Sequence, residues 1–296
     1  MKVLIYTIGA ILLISSMSAK LVDFSEKGWA GDCIAGKRQS PIDFPTNYNY
    51  TDGGYFRVLE TVYPVIDNLT FAQQPANLKS YNLLNVNVTD GANGYLMARK
   101  DNVTYRYNLL DVHFHILAEH TFGGKAYAAE MHMVHQKDRS WLAKQGTVET
   151  AEDKVNDYLV VGTVFAVDGT TDDSNLNRMN INTGKVVNNL DFTVYSKKDM
   201  EYYHYIGGLT TPDCNQVVNW VVNSKVTKIS TAQNNAIRNW ITALYPNGNT
   251  RVVQPLNGRQ IYKITTETIE IKKLDAGFLK GNMMMLISVM IAAFFL

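Results

Sequence analysis

Five of the six histidines in this chain of 296 residues fall between positions 113 and 135. The stretch reads Asp111-Val-His-Phe-His-Ile-Leu-Ala-Glu-His-Thr-Phe-Gly-Gly-Lys-Ala-Tyr-Ala-Ala-Glu-Met-His-Met-Val-His135. Side chains alternate faces along a strand, so His113 and His115 point one way and Phe114 the other. Gly123-Gly124 is a turn signal that lets residues 126–135 fold back antiparallel, with Glu130, His132 and Val134 on one face. His132 can then join the first pair. Three imidazole nitrogens about 2.0–2.1 Å from a Zn²⁺ ion leave a fourth tetrahedral position for water, as catalytic rather than structural zinc sites do. The competing reading is a buried histidine cluster without metal. Against it, three histidines beside Glu119 and Glu130 are expensive to bury unless something compensates them. His120 and His135 fall out of phase with the three and read as buried, hydrogen-bonded structural residues.

The elements that must position these side chains are mostly strands. Runs of strand character cover Tyr81 to Val88, Tyr105 to Ile116, Ala126 to His135, Tyr158 to Val167, Asn215 to Val222 and Gln260 to Ile264. One helix stands out at Thr231 to Tyr245, capped by Ser230, with Ala232, Ala236, Trp240, Ile241 and Leu244 as its apolar stripe and Asn234, Arg238 and Asn239 facing out. A shorter helical turn fits Asp172 to Asn177. Parallel βαβ repeats, a P-loop and a G-x-G-x-x-G motif are all absent from the sequence, which argues against a doubly wound nucleotide-binding fold.

Composition narrows the function classes. With 46% hydrophobic and 19% charged residues, the chain has enough apolar material for a large core. Lys+Arg 28 against Asp+Glu 27 gives a net charge of +1, no footprint for binding nucleic acid. The ends differ from the middle. Lys2 precedes the apolar run Val3 to Ile14 and the small residues up to Ala19, the layout of a secretory signal peptide over residues 1–19. Met283 to Leu296 is a second apolar run, preceded by Asp275-Ala276-Gly277 and a short spacer. Residues 276–296 therefore read as a glycosylphosphatidylinositol attachment signal, with a membrane-spanning tail as the alternative. Sequons at Asn49, Asn68, Asn87 and Asn102 fit the same route as glycosylation sites. In an oxidising compartment the two cysteines, Cys33 and Cys214, are expected to pair, the alternative being two buried thiols. Residues 20–275 show no repeat or linker and read as one domain.

Gln39-Ser-Pro-Ile-Asp43, His113-Phe-His115, Glu119-His-Thr121, Tyr127-Ala-Ala-Glu-Met-His132, Leu209-Thr-Thr-Pro212 and Asn257-Gly-Arg259 together resemble the α-class carbonic anhydrases. The resemblance implies a mostly β, single-domain fold: a large, twisted, mainly antiparallel sheet of about ten strands with small peripheral helices. It implies zinc-dependent, reversible hydration of CO₂ to bicarbonate, a reaction that the expected signal peptide and anchor signal would put at the outer face of the cell membrane. By the same resemblance His113, His115 and His132 match the zinc ligands; Asp111 and Glu130, on the same strand faces, are the residues expected to support them. Thr210 and Glu119 match the catalytic pair that orients the oxygen nucleophile. Thr211 matches the bicarbonate contact, and Val134, Val160, Leu209, Val218 and Trp220 match the apolar wall that receives CO₂. Cys33 and Cys214 fall where secreted members form a disulfide.

The chain departs from the family in three places. Asp111 stands where Gln is common, and its carboxylate can accept the ring N–H of His113. The segment between His115 and Glu119 is short, with Ile116 in place of an aromatic. No histidine occurs before residue 113, and the position of the usual proton-shuttle histidine falls on Asn82, which cannot titrate. A non-catalytic surface-binding module on the same fold is the competing function. Such modules usually lack one or more of the zinc histidines, whereas all three stand here.

Overall fold

The computed structural model describes residues 22–52, 56–65, 69–70, 94–181 and 186–265. The expected signal peptide, the apolar tail, the strand at Tyr81 to Val88, and Asn68, Asn82 and Asn87 lie outside the described residues. Among the described residues fourteen strands are present: β1 (Asp43–Phe44), β2 (Thr51–Asp52), β3 (Phe56–Val62), β4 (Leu69–Thr70), β5 (Tyr95–Lys100), β6 (Val103–His115), β7 (Thr121–Phe122), β8 (Ala129–Lys137), β9 (Tyr158–Gly169), β10 (Val186–Val187), β11 (Tyr202–Gly207), β12 (Val218–Asn223), β13 (Thr227–Ser230) and β14 (Tyr262–Ile264). Five short helices accompany them: α1 (Asp32–Ala35), α2 (Arg139–Lys144), α3 (Ala151–Val155), α4 (Ser174–Met179) and α5 (Thr231–Thr242).

Ten of the strands form one mixed sheet in the order β2-β14-β11-β12-β9-β8-β6-β5-β3, with β13 also paired to β9. The pairings of β12 with β9, β13 with β9 and β14 with β2 are parallel, and the others are antiparallel. The sheet is buried on both faces. One face carries the larger core, where Phe114, Met131, Met133, Val161 and Phe165 pack with Ile237, Trp240 and Ile241 of α5. The other carries a smaller core built on Ile42, Phe44, Val160, Tyr205, Val218 and Trp220.

A register shift between Leu109 and Asp111 on β6 decides which side chains meet which core. Leu109 opposes His135 and Asp111 opposes Val134, so Leu110 is an extra, bulged residue. Before it the odd-numbered Tyr105, Tyr107 and Leu109 face the larger core; after it the even-numbered Val112 and Phe114 do. The bulge therefore turns Asp111, His113 and His115 to the opposite face. Gly123 and Gly124, both with positive φ, complete the return toward β8, as expected of that dipeptide.

The helix α5 begins where expected, but its buried side is rotated. Gln233, Ile237, Trp240 and Ile241 are buried, whereas Ala232 is exposed. The cause is Gln233, which a hydropathy pattern assigns to solvent. Its amide closes a capping box with Ser230 and donates to Asp173 O (2.7 Å) and Asn177 Oδ1 (2.8 Å), so a polar side chain is satisfied inside the fold. The strand expected from Asn215 starts only at Val218. Asn215 instead accepts the N–H of Leu209 (3.0 Å), shaping the loop that precedes β12.

Candidate metal centre and active site

His113 on β6 directly opposes His132 on β8, and His115 opposes Glu130. The ring centroids of the three histidines lie 5.0, 5.1 and 4.5 Å apart. Each ring has one nitrogen committed to an acceptor. His113 Nδ1–H donates to Asp111 Oδ2 (2.7 Å), His115 Nδ1–H to the carbonyl of Asn249 (2.7 Å), and His132 Nε2–H to Glu130 Oε1 (2.9 Å). A partner that can only accept fixes the tautomer, so the bare lone pairs are on His113 Nε2, His115 Nε2 and His132 Nδ1. One nitrogen from each ring lies within 4.8 Å of those of the other two. His115 Nε2 is buried with no hydrogen-bond partner. A buried bare nitrogen among two others is the arrangement a metal ion resolves.

Electrostatics keep two of these rings neutral. Burial, reinforced by His132 and His113, holds the pKa of His115 well below its ordinary value. Burial also lowers His132 to about 4, overcoming the pull of Glu130. Neutral imidazole is the form that ligates metal. The donor set, three imidazoles with outer nitrogens tied to acceptors, fits Zn²⁺.

Glu130 is a buried carboxylate with a full set of donors. Besides His132 it accepts the backbone N–H groups of Glu119 (2.9 Å) and His120 (2.8 Å) and the Nδ1–H of His120 (2.7 Å). Burial raises its pKa, but the electrostatic attraction of the His120 and His132 rings and the hydrogen bonds they donate outweigh this and hold it well below the usual range. Room for it comes from Gly162 on β9, where a Cβ would lie 2.8 Å from Glu130 Oε1. His120 continues the network to the Tyr205 hydroxyl (2.7 Å), which donates to Ser40 Oγ (2.9 Å). His135 is buried apart from the three, on the Tyr63 hydroxyl (2.8 Å).

Glu119 sits behind the rings, its Oε1 3.4 Å from His115 Nδ1 and its Oε2 4.0 Å from His132 Nδ1. Oε1 accepts the backbone N–H of Arg251 (2.9 Å), whereas Oε2 is buried without a fully formed hydrogen bond. The Thr210 hydroxyl is the side-chain donor that acts on this carboxyl. Burial pushes Glu119 well above the ordinary carboxylate range, against the Arg251 and Thr210 hydrogen bonds.

A cavity of about 160 Å³ opens over the histidines, lined by Asp111, the three rings, Val134, Val160, Leu209, Thr210, Thr211 and Trp220. Val218, expected in this wall, is fully buried behind it in the smaller core and does not reach the cavity surface. Thr210 and Thr211 are carried by a loop fixed at several points. Trp220 Nε1 donates to Gly208 O (3.1 Å), Cys214 N to Thr211 O (2.7 Å), and Gln39 Nε2 to Cys214 O (3.1 Å). Cys33 and Cys214 form a disulfide that ties the same loop to the N-terminal segment.

The match to the model of the eukaryotic-type carbonic anhydrases spans residues 24–265. The chain belongs to this family. Carbonic anhydrase Nec1 of Nesocodon mauritianus is 28% identical over 244 residues, covering 78% of this chain and 76% of that protein. A carbonic anhydrase of Neisseria gonorrhoeae is 26% identical over 236 residues, covering 77% and 78%. Among solved structures, the halotolerant carbonic anhydrase of Dunaliella salina has the same fold, with a TM-score of 0.54 at 22% identity over 78% of this chain and 89% of that one. Carbonic anhydrase Cah3 of Chlamydomonas reinhardtii, solved in complex with acetazolamide, gives 0.51 at 21% identity over 80% and 94%. The family makes the chain an enzyme, a carbonic anhydrase, and CO₂ hydration the reaction that family and fold support.

Two contributors are not visible in the sequence pattern. Asn249 clamps the end of β6: its Oδ1 accepts the N–H of Ile116 (2.9 Å), its Nδ2 donates to Phe114 O (2.7 Å), and its carbonyl holds His115. Arg251, fully buried, donates through Nη1 to Gln39 Oε1 and Ser40 O (2.8 Å each) while its backbone positions Glu119. No spacing rule signals a residue whose role is played by its main chain.

Proposed function

We propose that the chain is a zinc-dependent carbonic anhydrase of the outer cell surface, with His113, His115 and His132 holding the metal. The convergence of three bare imidazole nitrogens at the floor of a partly apolar cavity carries this reading. Bound zinc supplies Lewis acidity, which makes water a nucleophile near neutral pH. Asp111, Asn249 and Glu130 keep the three rings in the ligating tautomer. Positive charge between the rings favours ionised Glu119 against its burial. Ionised, Glu119 is acceptor-only and takes the Thr210 hydroxyl proton, leaving the Thr210 oxygen to accept from the nucleophile and aim its lone pair at substrate. Val134, Val160, Leu209 and Trp220 offer CO₂ an apolar wall, and Thr211 offers a polar contact to bicarbonate.

Residues 1–19 direct the chain into the secretory pathway, residues 20–275 form the enzyme, and residues 276–296 are exchanged for a lipid anchor. Asn49 and Asn102, exposed in the fold, accept glycans, as do Asn68 and Asn87. No helix among the described residues is long and apolar enough to cross a membrane. Release of the chain from cells by a phosphatidylinositol-specific phospholipase tests the anchor; retention with the tail intact by mass mapping overturns it. Stopped-flow CO₂ hydration by the purified chain, with metal analysis of the same sample, tests the reaction. Turnover in proportion to zinc content is expected, and zinc-replete chain without turnover contradicts it.

A further inference from the structure

The cavity over the histidines has a charge asymmetry. Asp111 is the one carboxylate among its described lining residues, which include no lysine or arginine. Glu119 and Glu130 lie behind the rings, each taking backbone N–H donors. Asp111 is different, because it shares the surface that an incoming molecule meets. The bulge at Leu110 puts it there, on the same face as His113 and His115. Its side chain is 9% exposed, and its Oδ2 takes the Nδ1–H of His113 at 2.7 Å.

We infer that Asp111 is a specificity-determining residue, which makes this cavity discriminate against anions and in favour of neutral molecules. A carboxylate in a confined, partly apolar wall repels an anion at short range, where screening by water is weak. The same charge attracts a divalent cation, directly and through the polarised His113 ring. Neutral CO₂ feels neither effect. Product bicarbonate and small inhibitory anions such as thiocyanate are held less tightly than in a cavity whose corresponding residue is an amide. The inference rests on the reading of His113, His115 and His132 as metal ligands and adds to it which ligands the loaded site prefers.

The test compares the full chain with Asp111→Asn, which keeps an oxygen acceptor for His113 but removes the charge, and Asp111→Glu, which keeps the charge. Thiocyanate affinity is read from the visible spectrum of cobalt-substituted protein, and metal retention from the rate of zinc release to a chelator. Asp111→Asn is expected to bind thiocyanate about tenfold more tightly or better, given unit charges a few ångströms apart at an effective dielectric near 20, and to release zinc faster. Asp111→Glu should stay within about threefold of the unmodified chain in both. The opposite signs matter, because a purely structural role, in which loosening His113 disorders the site, weakens anion and metal binding together. Thiocyanate affinity unchanged within twofold in Asp111→Asn overturns the inference, and so does weakened binding of both. If Asp111→Asn does not retain metal, Asp111→Gln takes its place in the same comparison. Zinc content of the unmodified chain is measured first. Its absence refutes the metal-site reading and this inference with it, whereas full zinc with unaltered thiocyanate affinity in the variants refutes the inference alone.

Discussion

At the scale of single residues, the site is held by what stands behind each histidine. His132, like the other two rings, has one nitrogen tied to an acceptor, Nε2 on Glu130, and the other, Nδ1, turned toward its partners. His132→Ala leaves two imidazoles, too few for a stable catalytic zinc site. Metal content and CO₂ hydration should fall together, activity by at least about a thousandfold, while far-ultraviolet circular dichroism stays that of a β protein. Full turnover in this variant would exclude His132 as a ligand. The three rings were legible in the sequence because strand parity is a two-residue rule, and His113, His115 and the fold-back carrying His132 obey it. Asn249 was not legible, since the group that holds His115 is a main-chain carbonyl brought from more than a hundred residues away. Val218 read as cavity wall because apolar residues at pocket and core positions are chemically alike.

At the scale of elements, β6 and β8 carry the three histidines, with β9 beside β8, and the bulge in β6 is what presents Asp111, His113 and His115 to the cavity. A bulge has no residue signature at Leu110, so strand parity tells which of these residues share a face but not which core that face meets. On β9, Gly162 opposite His132 keeps the space that the Glu130 carboxylate occupies. Gly162→Ala places a Cβ within 2.8 Å of Glu130 Oε1, and Val222 packs close on the same side. Overpacking of this kind costs about 1–3 kcal/mol. The urea midpoint should fall accordingly, and zinc affinity should weaken as Glu130 is displaced from His132. An unchanged midpoint together with unchanged zinc affinity would show that β9 yields without disturbing the network. The α5 stripe teaches the same lesson, because Gln233 faces inward through hydrogen bonds that hydropathy does not register.

At the scale of the whole molecule, two properties follow from where histidines stand and where they are missing. His135 and His204 are buried and neutral, lowered by burial to about 4 and about 3. Unfolding returns each to about 6.5, so below that pH the unfolded chain binds more protons than the folded one. Their stabilising contribution is complete above about pH 6.5 and is lost as pH falls toward the folded values, at about 1.4 kcal/mol per pH unit for each group. In metal-free protein His115 and His132 add to the same slope. Urea midpoints of the metal-free chain should drop steadily from pH 6.5 to pH 4.5, and a flat profile would contradict neutral burial of these rings. The second property is proton export. The family resemblance, by which the shuttle position falls on the non-titrating Asn82, predicts a turnover well below about 10⁶ s⁻¹ that rises with imidazole-type buffer, whereas kcat/KM stays nearly constant. A fast turnover independent of buffer at fixed pH and ionic strength would mean that another group already carries the proton.

The central claim, that one zinc ion on His113, His115 and His132 makes this chain a CO₂ hydratase, is tested most directly by titrating metal-depleted protein with zinc while CO₂ hydration is followed by stopped flow. Activity should rise linearly from near zero and break sharply at one equivalent per chain, with no rise in His132→Ala. A chain that is active without zinc, that shows no break at one equivalent, or that responds identically after His132→Ala would contradict the account.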